Sequence, residues 1–469
     1  MKNRIGKIIS LLLSLMIIVT AITALPVSAQ AAETDTQSVG ASSGATGDCT
    51  WTLDNGVLTI SGNGRMEDYN YFSDSKAPWG TDIIQVIISN GVTNVGAHAF
   101  NGCENLSCFT LADSVTTIGV SAFDGCSKLK SITIPAGVTK IVGNTVFSGC
   151  TGLESITVDK RNTVYDSRND CNGIIDTSRN ELIKACNTTV IPNSVTSIGG
   201  GAFSGCTKIT SLTISDNITS IGDYAFFGCT GFSGITLPDS ITIIGSYAFS
   251  RCTGLESITI PGSVTEIGYN AFSECTALSN VTICDGYEVI GVDMFSDCAS
   301  LTSVTLPDSI IYICARAFYN CTELTEITIP DSVTGIENAV FYGCKGLTSL
   351  VIPEGVTLIG GYAFSDCDNL TLSLYKDSYA EAYAQYNGIP YVLVVPKTII
   401  YGDVDGDGEL KAKDRIYLTR HLANWTDYAE IDKDAADLNC DGRVGAKDRI
   451  ILTRHLANWT DYKTLPKPD

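Results

Sequence analysis

Residues 255–275 read Leu255-Glu-Ser-Ile-Thr-Ile-Pro-Gly-Ser-Val-Thr-Glu-Ile-Gly-Tyr-Asn-Ala-Phe-Ser-Glu-Cys275. Ile258-Thr259-Ile260 alternates apolar and polar side chains, as a short strand does. Pro261 has no N–H to give a ladder and ends that strand. Val264 and Ile267 place apolar groups on a second short segment, and Gly268 permits a bend. Ala271-Phe272 then opens a short helical or turn segment that Cys275 closes. A unit this small cannot bury its own Ile, Val and Phe side chains, so it has to stack on others like it.

The unit recurs. Phe203, Phe226, Phe249, Phe272, Phe295, Phe318, Phe341 and Phe364 are spaced by 23 residues. Each is followed three residues later by a cysteine: Cys206, Cys229, Cys252, Cys275, Cys298, Cys321, Cys344 and Cys367. Upstream, Phe100, Phe123 and Phe147 pair with Cys103, Cys126 and Cys150 at steps of 23 and 24. Eleven pairs in one register are an internal repeat. Stacked at about 4.8 Å per coil, the units form a solenoid with ladders of Ile, Phe and Cys. Between Phe147 and Phe203 the step is 56, so residues 159–189 are expected to form one enlarged, strand-rich coil. Asp166, Asp170 and Asp176 lie there without ligand-like spacing.

Outward positions repeat as Thr133, Thr157, Thr213, Thr236, Thr259, Thr282, Thr305 and Thr328. Such a ladder suits strand propensity and side-chain hydrogen bonding. Tyr247, Tyr269, Tyr312 and Tyr362 vary from coil to coil and individualise the surface. Of the 18 cysteines, eleven occupy the one repeat position, which reads as a spine of buried thiols rather than a disulfide framework. Off the spine are Cys49, Cys108, Cys171, Cys186, Cys284, Cys314 and Cys440. Cys171 and Cys186 share the irregular stretch and are the one candidate bridge.

The 469 residues carry 30 Lys plus Arg against 51 Asp plus Glu, a formal charge of −21. That balance argues against nucleic acid or an anionic membrane as the main partner. The 3 histidines, His98, His421 and His455, are too few and too scattered for a zinc centre or a Ser-His-Asp site. Residues 1–31 read as a signal peptide: Lys2, Arg4 and Lys7, an apolar run from Ile8 to Leu25, then small residues at Val27-Ser28-Ala29. Residues 32–47 read as a flexible lead-in, and the mature protein is expected outside the cell, with no inserted membrane segment.

Over residues 86–375 the repeat resembles the BspA-type leucine-rich repeats of bacterial surface proteins, whose pattern is Leu-x-x-Ile-x-Ile-Pro-x-x-Val-x-x-Ile-Gly-x-x-Ala-Phe-x-x-Cys. The resemblance implies a repeat β/α solenoid. Residues 48–85 look like its N-terminal cap, with an Asp54-Asn55-Gly56 turn between two strands and Ala77-Pro78-Trp79 behind them. Residues 376–393 look like the helical C-terminal cap, with an apolar stripe of Tyr379, Ala380 and Tyr383 and a stop at Gly388. The family's roles are adhesion and binding of proteins or host surfaces, not catalysis.

After a linker at 394–400 the chemistry changes. Asp403-Val-Asp405-Gly-Asp407-Gly408-Glu409-Leu-Lys-Ala-Lys-Asp414 puts oxygen donors at positions 1, 3, 5 and 12 of an EF-hand-type loop, with Gly at 6. The backbone carbonyl of Glu409 supplies position 7, and Leu410 is expected to point into the core. A second copy lies 34 residues on: Asp437, Asn439, Asp441, Arg443 at position 7, and Asp448. Hard oxygen ligands around a tight turn are the chemistry of calcium, so two Ca2+ ions are expected. Both loops run into helices reading Ala-Lys-Asp-Arg-Ile-x-Leu-Thr-Arg-His-Leu-Ala-Asn-Trp, whose apolar material in the first copy is Ile416, Leu418, Leu422 and Trp425.

Residues 401–463, followed by a tail at 464–469, resemble a type I dockerin. The resemblance implies a small all-helical calcium-binding module with two F-hand-like loops that plugs into cohesin domains of cellulosome scaffolds. The family's selectivity positions fall here on Ala412, Lys413, Thr419, Arg420 and Asn424, and again on Ala446, Lys447, Thr453, Arg454 and Asn458. Ala-Lys stands where the best-known pattern has a Ser/Thr pair.

These readings converge on a secreted, non-catalytic binding or adhesion protein. Its dockerin docks calcium-dependently into a cohesin, and its solenoid holds a protein or a cell-wall polysaccharide. A cellulosomal polysaccharide-degrading enzyme is the alternative, and it needs two carboxylates facing a cleft. No stretch outside the repeats and the calcium module is long enough for a catalytic domain. A structural spacer is the remaining alternative.

Overall fold

The computed structural model describes residues 42–70, 76–394, 401–404, 409–423, 431, 433–439 and 443–457. The signal peptide expected over 1–31, the tail and all but the first residue of the linker lie outside them.

The chain enters through three strands: β1 (Ser42–Thr46), β2 (Cys49–Asp54) and β3 (Val57–Gly62). Asn55 and Gly56 turn β2 into β3 with φ of 49° and 79°, the left-handed pair that a tight hairpin requires. β1 corrects the expectation of a flexible lead-in up to residue 47. It pairs antiparallel with β2, and its Thr46 is buried and takes a hydrogen bond from the Tyr69 hydroxyl at 2.6 Å. β3 then pairs in parallel with β4 (Gln85–Ile88), where the first coil begins.

A typical coil contributes two short parallel strands, although the first is missing over residues 211–215. In the unit that opened the analysis these are Ser257–Ile260 and Glu266–Ile267. Register is kept at the repeat length: Ile258 pairs with Val281 and then Val304, and Ile244 pairs with Ile267. Inward side chains such as Ile258, Ile260, Val264, Leu255 and Phe272 are buried, and the threonines between them face out.

The third arm is where the expected β/α repeat is corrected. It is a run of turns rather than a helix, so the solenoid is largely all-β. The N–H groups of Tyr247, Phe249 and Arg251 donate to the carbonyls of Tyr269, Ala271 and Ser273 on the next coil, at 3.0, 2.8 and 2.9 Å. Those of Ala248, Ser250 and Cys252 turn back on Gly245, Tyr247 and Phe249. An α-helix would consume all these donors within one coil and leave none to join coils. Left-handed residues at Tyr247 (φ 56°) and Arg251 (φ 61°) also interrupt any helix.

The phenylalanines stack down the axis. Phe249–Phe272 and Phe272–Phe295 have ring centroids 5.3 and 5.6 Å apart, with planes within 1° and 14° of parallel. Trp79 continues the stack below Phe100 at 5.8 Å, and Tyr383 closes it edge-on above Phe364 at 6.1 Å. The cysteines form the second spine. Cys252, Cys275 and Cys298 donate from Sγ to the carbonyls of Phe226, Phe249 and Phe272, at 3.1, 3.1 and 3.2 Å. All described cysteines are free thiols, Cys171 and Cys186 included, which removes the candidate bridge.

The enlarged coil interrupts both spines. Tyr165–Asp166, Gly173–Asp176 and Glu181–Ala185 form antiparallel pairs inside an otherwise parallel ladder. Asn172 replaces missing backbone partners: its Oδ1 accepts from the Ile156 N–H at 2.5 Å and its Nδ2 donates to the Glu154 carbonyl at 3.0 Å.

At the far end, α1 (Tyr379–Asn387) starts at Ser378, whose hydroxyl accepts from the Glu381 N–H, and stops at Gly388 with φ 68°. Its buried stripe is Ala380 and Ala384 with Tyr383 half-buried, while Tyr379 is exposed. Tyr379 is the first helical residue and lies off the face that packs on the last coil.

Candidate docking module and its surface

Beyond the solenoid lie α2 (Ala412–Leu422), the short α3 (Lys433–Ala436) and α4 (Ala446–Leu456). They share a core of their own: Val404, Leu418, Ala436, Leu438, Ile451 and Leu452. Val404 and Leu438, and Leu418 and Leu452, are the same positions of the two copies. Val444 packs against this core, and both it and its counterpart Leu410 are half-buried.

The twelfth residue of each loop organises it. Asp414 accepts the Lys411 N–H at 2.7 Å where α2 begins, and with its other oxygen the Val404 N–H at 2.8 Å. Asp448 repeats this, accepting from Gly445 at 2.7 Å, Leu438 at 2.8 Å and Asn439 at 3.1 Å. One carboxylate thereby ties the start of the loop to the start of the helix. Both carboxylates are 1% exposed, and Asp403 and Asn439 are buried near them in the chain. Burying carboxylates is costly unless a cation or strong donors offset it. A donor set made of oxygen alone, held at the loop ends, fits calcium. Asp437 is half-buried, and Glu409 and Arg443 are exposed. The expected ligands Asp405, Asp407 and Asp441 lie outside the described residues.

The outer face of the helices carries most of the expected partner-binding residues. Ala412, Lys413, Thr419, Ala446 and Lys447 are exposed, and Arg420, Thr453 and Arg454 half-buried. Asn424 and Asn458 lie outside the described residues. A shallow groove of about 450 Å³ is lined by Arg415, Ile416, Thr419, Arg420, Ala423, Arg449 and Thr453. It brings Thr419, Arg420 and Thr453 together from both helices, and leaves the Ala-Lys pairs outside its lining. Lys413 instead lies over the Tyr417 ring, at 5.4 Å from its centroid.

Ile416 corrects a core expectation. It is 48% exposed, and its counterpart Ile450 is 44% exposed. Spacing carried the signal: Ile416, Thr419 and Ala423 recur at i, i+3 and i+7 and share one helix face, away from Leu418.

On the solenoid, the Thr ladder faces solvent, with Thr133 and Thr157 hydroxyls 3.2 Å apart. Tyr362 and Tyr269 are exposed, while Tyr247 and Tyr312 are half-buried. Burial, with Glu337 alongside, pushes the Tyr312 phenol up to about 12. Among the described residues no helix is long and apolar enough to cross a membrane.

Comparison with known proteins agrees with both halves. Residues 75–171, 181–302 and 288–380 match the BspA type leucine rich repeat region, and residues 401–457 match the dockerin type I domain. Among solved structures, a leucine-rich repeat protein from Eubacterium ventriosum is 24% identical with a TM-score of 0.51, covering 70% of this chain and 95% of its own. One from Bacteroides ovatus is 25% identical (TM-score 0.47, covering 77% and 100%), and a leucine rich cell surface protein from Faecalibacterium prausnitzii is 24% identical (0.42, 77% and 96%). No curated protein matches. With more than half of its residues in that repeat region, the chain belongs to the BspA type leucine-rich repeat family and carries a type I dockerin domain at its C-terminal end.

Proposed function

We propose that this is a secreted, non-catalytic adhesion protein whose dockerin docks calcium-dependently into a cohesin of a cellulosome scaffold and so presents the solenoid to a protein or cell-wall polysaccharide. The observation that carries the reading is the duplicated loop-and-helix module on the end of a stacked β solenoid. Its buried Asp414 and Asp448 suit two bound Ca2+ ions, one per loop, with Asp403, Asp405, Asp407, Asp437, Asn439 and Asp441 as the remaining side-chain ligands and Glu409 and Arg443 lending carbonyls. The duplication supports two docking orientations, because Lys413 and Arg420 recur as Lys447 and Arg454.

Calorimetric titration of the full chain with a cohesin tests this. Binding is expected in calcium and lost in EDTA. Lys413→Ala with Arg420→Ala should leave affinity within a few-fold, and adding Lys447→Ala and Arg454→Ala should weaken it strongly. A large loss from the first pair alone would show a single orientation. Calcium-independent binding would refute the docking scheme.

A further inference from the structure

We infer that the turn face around residues 224–297 is a binding site for a neutral oligosaccharide. This deepens the reading of the solenoid as the binding arm and rests on it.

The first observation is an open aromatic platform. Tyr224 and Tyr247 stack with centroids 4.8 Å apart and planes 9° from parallel, and Tyr269 meets Tyr247 edge-on at 5.3 Å. Tyr224 is 40% exposed and Tyr269 46%. The preceding coil has Gly201 at the register of Tyr224, so no side chain from that coil covers the other face of the Tyr224 ring. Phe227 touches Tyr224 edge-on at 5.6 Å, and the Arg251 guanidinium lies 5.5 Å over the Phe227 ring.

That guanidinium leads into the second observation, an open cavity of about 600 Å³ lined by Arg251, Glu274, Asp297 and the hydroxyl residues Thr230, Thr253 and Thr276. Arg251 donates to Glu274 at 3.0 Å, and Asp297 accepts from Asn320 at 3.0 Å. One guanidinium beside two carboxylates leaves the cavity net negative. It therefore repels phosphate and acidic glycans, and offers paired donors and acceptors to uncharged hydroxyls.

The left-handed turns that carry these side chains recur through the solenoid, and other coils place glycine there. At the register of Arg251, Gly102, Gly125, Gly149, Gly205, Gly228 and Gly343 carry positive φ, as do Arg251, Glu274, Asp297, Asn320 and Asp366 with full side chains. Tyr224 and Tyr247 sit at φ 58° and 56°, at a register where Gly201, Asn270, Asp293, Arg316, Ala339 and Tyr362 are left-handed too. A pyranose presents an apolar C–H face and a rim of hydroxyls, which is the complement of a tyrosine face beside an Arg/Glu/Asp/Thr cavity.

The test uses the full mature chain in calcium, titrated with cellohexaose, xylohexaose and mannohexaose, and with heparin as the anionic comparison. Tyr224→Gly and Arg251→Gly install the residue the fold already uses at those registers in Gly201 and Gly228, so both variants should fold, as melting curves will show. At least one neutral hexasaccharide should bind, at least tenfold more weakly in each variant, and heparin should not bind. Neutral-sugar binding that survives both substitutions overturns this site and leaves the binding-arm reading standing. If none of the three sugars binds, or only heparin does, the inference is wrong. The parent reading is then judged separately, by whether the same protein adheres to intact cell-wall material.

Discussion

At the scale of single residues, the spine cysteines explain themselves once the coils are stacked. A thiol is a weak donor, and each finds a backbone carbonyl one coil back, a phenylalanine's for all but Cys103 and Cys206, as Cys275 does with Phe249. Burial raises their pKa: Cys103 to about 12 and Cys206 to about 11, with Cys252, Cys275, Cys298 and Cys321 well above the ordinary thiol. Below the unfolded thiol pKa, about 8.5, both states hold the proton and stability does not depend on these groups. Above it the unfolded chain ionises first, so stability falls as pH rises, by up to about 1.4 kcal/mol per thiol per pH unit. The urea midpoint of the solenoid should therefore be level to about pH 8 and drop steeply by pH 10. As a control, iodoacetamide on the folded protein at pH 8 should modify exposed Cys108 and spare the spine, then modify the spine after unfolding without reductant. A level midpoint, or spine thiols that resist labelling when unfolded, would refute the thiol spine. The repeat position alone identified these residues as buried thiols, but their acceptor was not legible, because it lies 26 residues back on another coil.

At the scale of the coil, the bend glycine has a different cause from the one its sequence suggests. Gly268 is not in the left-handed region, and a Cβ there would lie 2.2 Å from the Ser246 nitrogen and 2.5 Å from its Cα. Gly291, one coil on, would place its Cβ no nearer than 3.9 Å to any other group. That room is consistent with the next two coils, where Cys314 and Glu337 occupy the register. Gly268→Ala should cost about 1–3 kcal/mol by overpacking. Gly291→Ala should be neutral or stabilise by roughly 0.4–1 kcal/mol through the unfolded chain. Paired urea melts will tell, and equal losses would show that bending rather than coil contact selects glycine. The phenylalanine spine makes the opposite kind of defect. Phe272 is fully buried between two parallel rings, so Phe272→Ala should cost about 3–5 kcal/mol, measured in the same way. A cost under about 1 kcal/mol would mean the stack can collapse around the gap.

At the scale of the molecule, the solenoid and the C-terminal module have separate cores, and the proposed calcium ligands belong to the module. Under the proposed calcium loading, metal binding becomes folding free energy, because the apo carboxylates repel one another. EDTA should therefore abolish the helical far-UV signal of residues 412–456 and leave the solenoid's thermal transition in place. Calorimetric scans with and without calcium check this, and a solenoid transition that moves with the chelator would show that the two are coupled.

How far this architecture could be read from the chain depends on the range of the interactions involved. Stacking, the inward Ile, Phe and Cys ladders and the paired acidic loops are periodic in sequence. Each rests on a unit whose apolar surface can be covered only by its neighbours, and the alternation of strand residues follows from the pleat. Hydrogen bonds between coils carry no such local mark. They made the third arm a run of turns rather than a helix, because its donors go to the next coil. Within the cap, Ser42–Thr46 became a strand by pairing with β2 across the Gly47-Asp48 turn. The exposure of Ile416 and Ile450 was settled in the same way, when the two copies met through Leu418 and Leu452 and left the adjacent helix face to solvent.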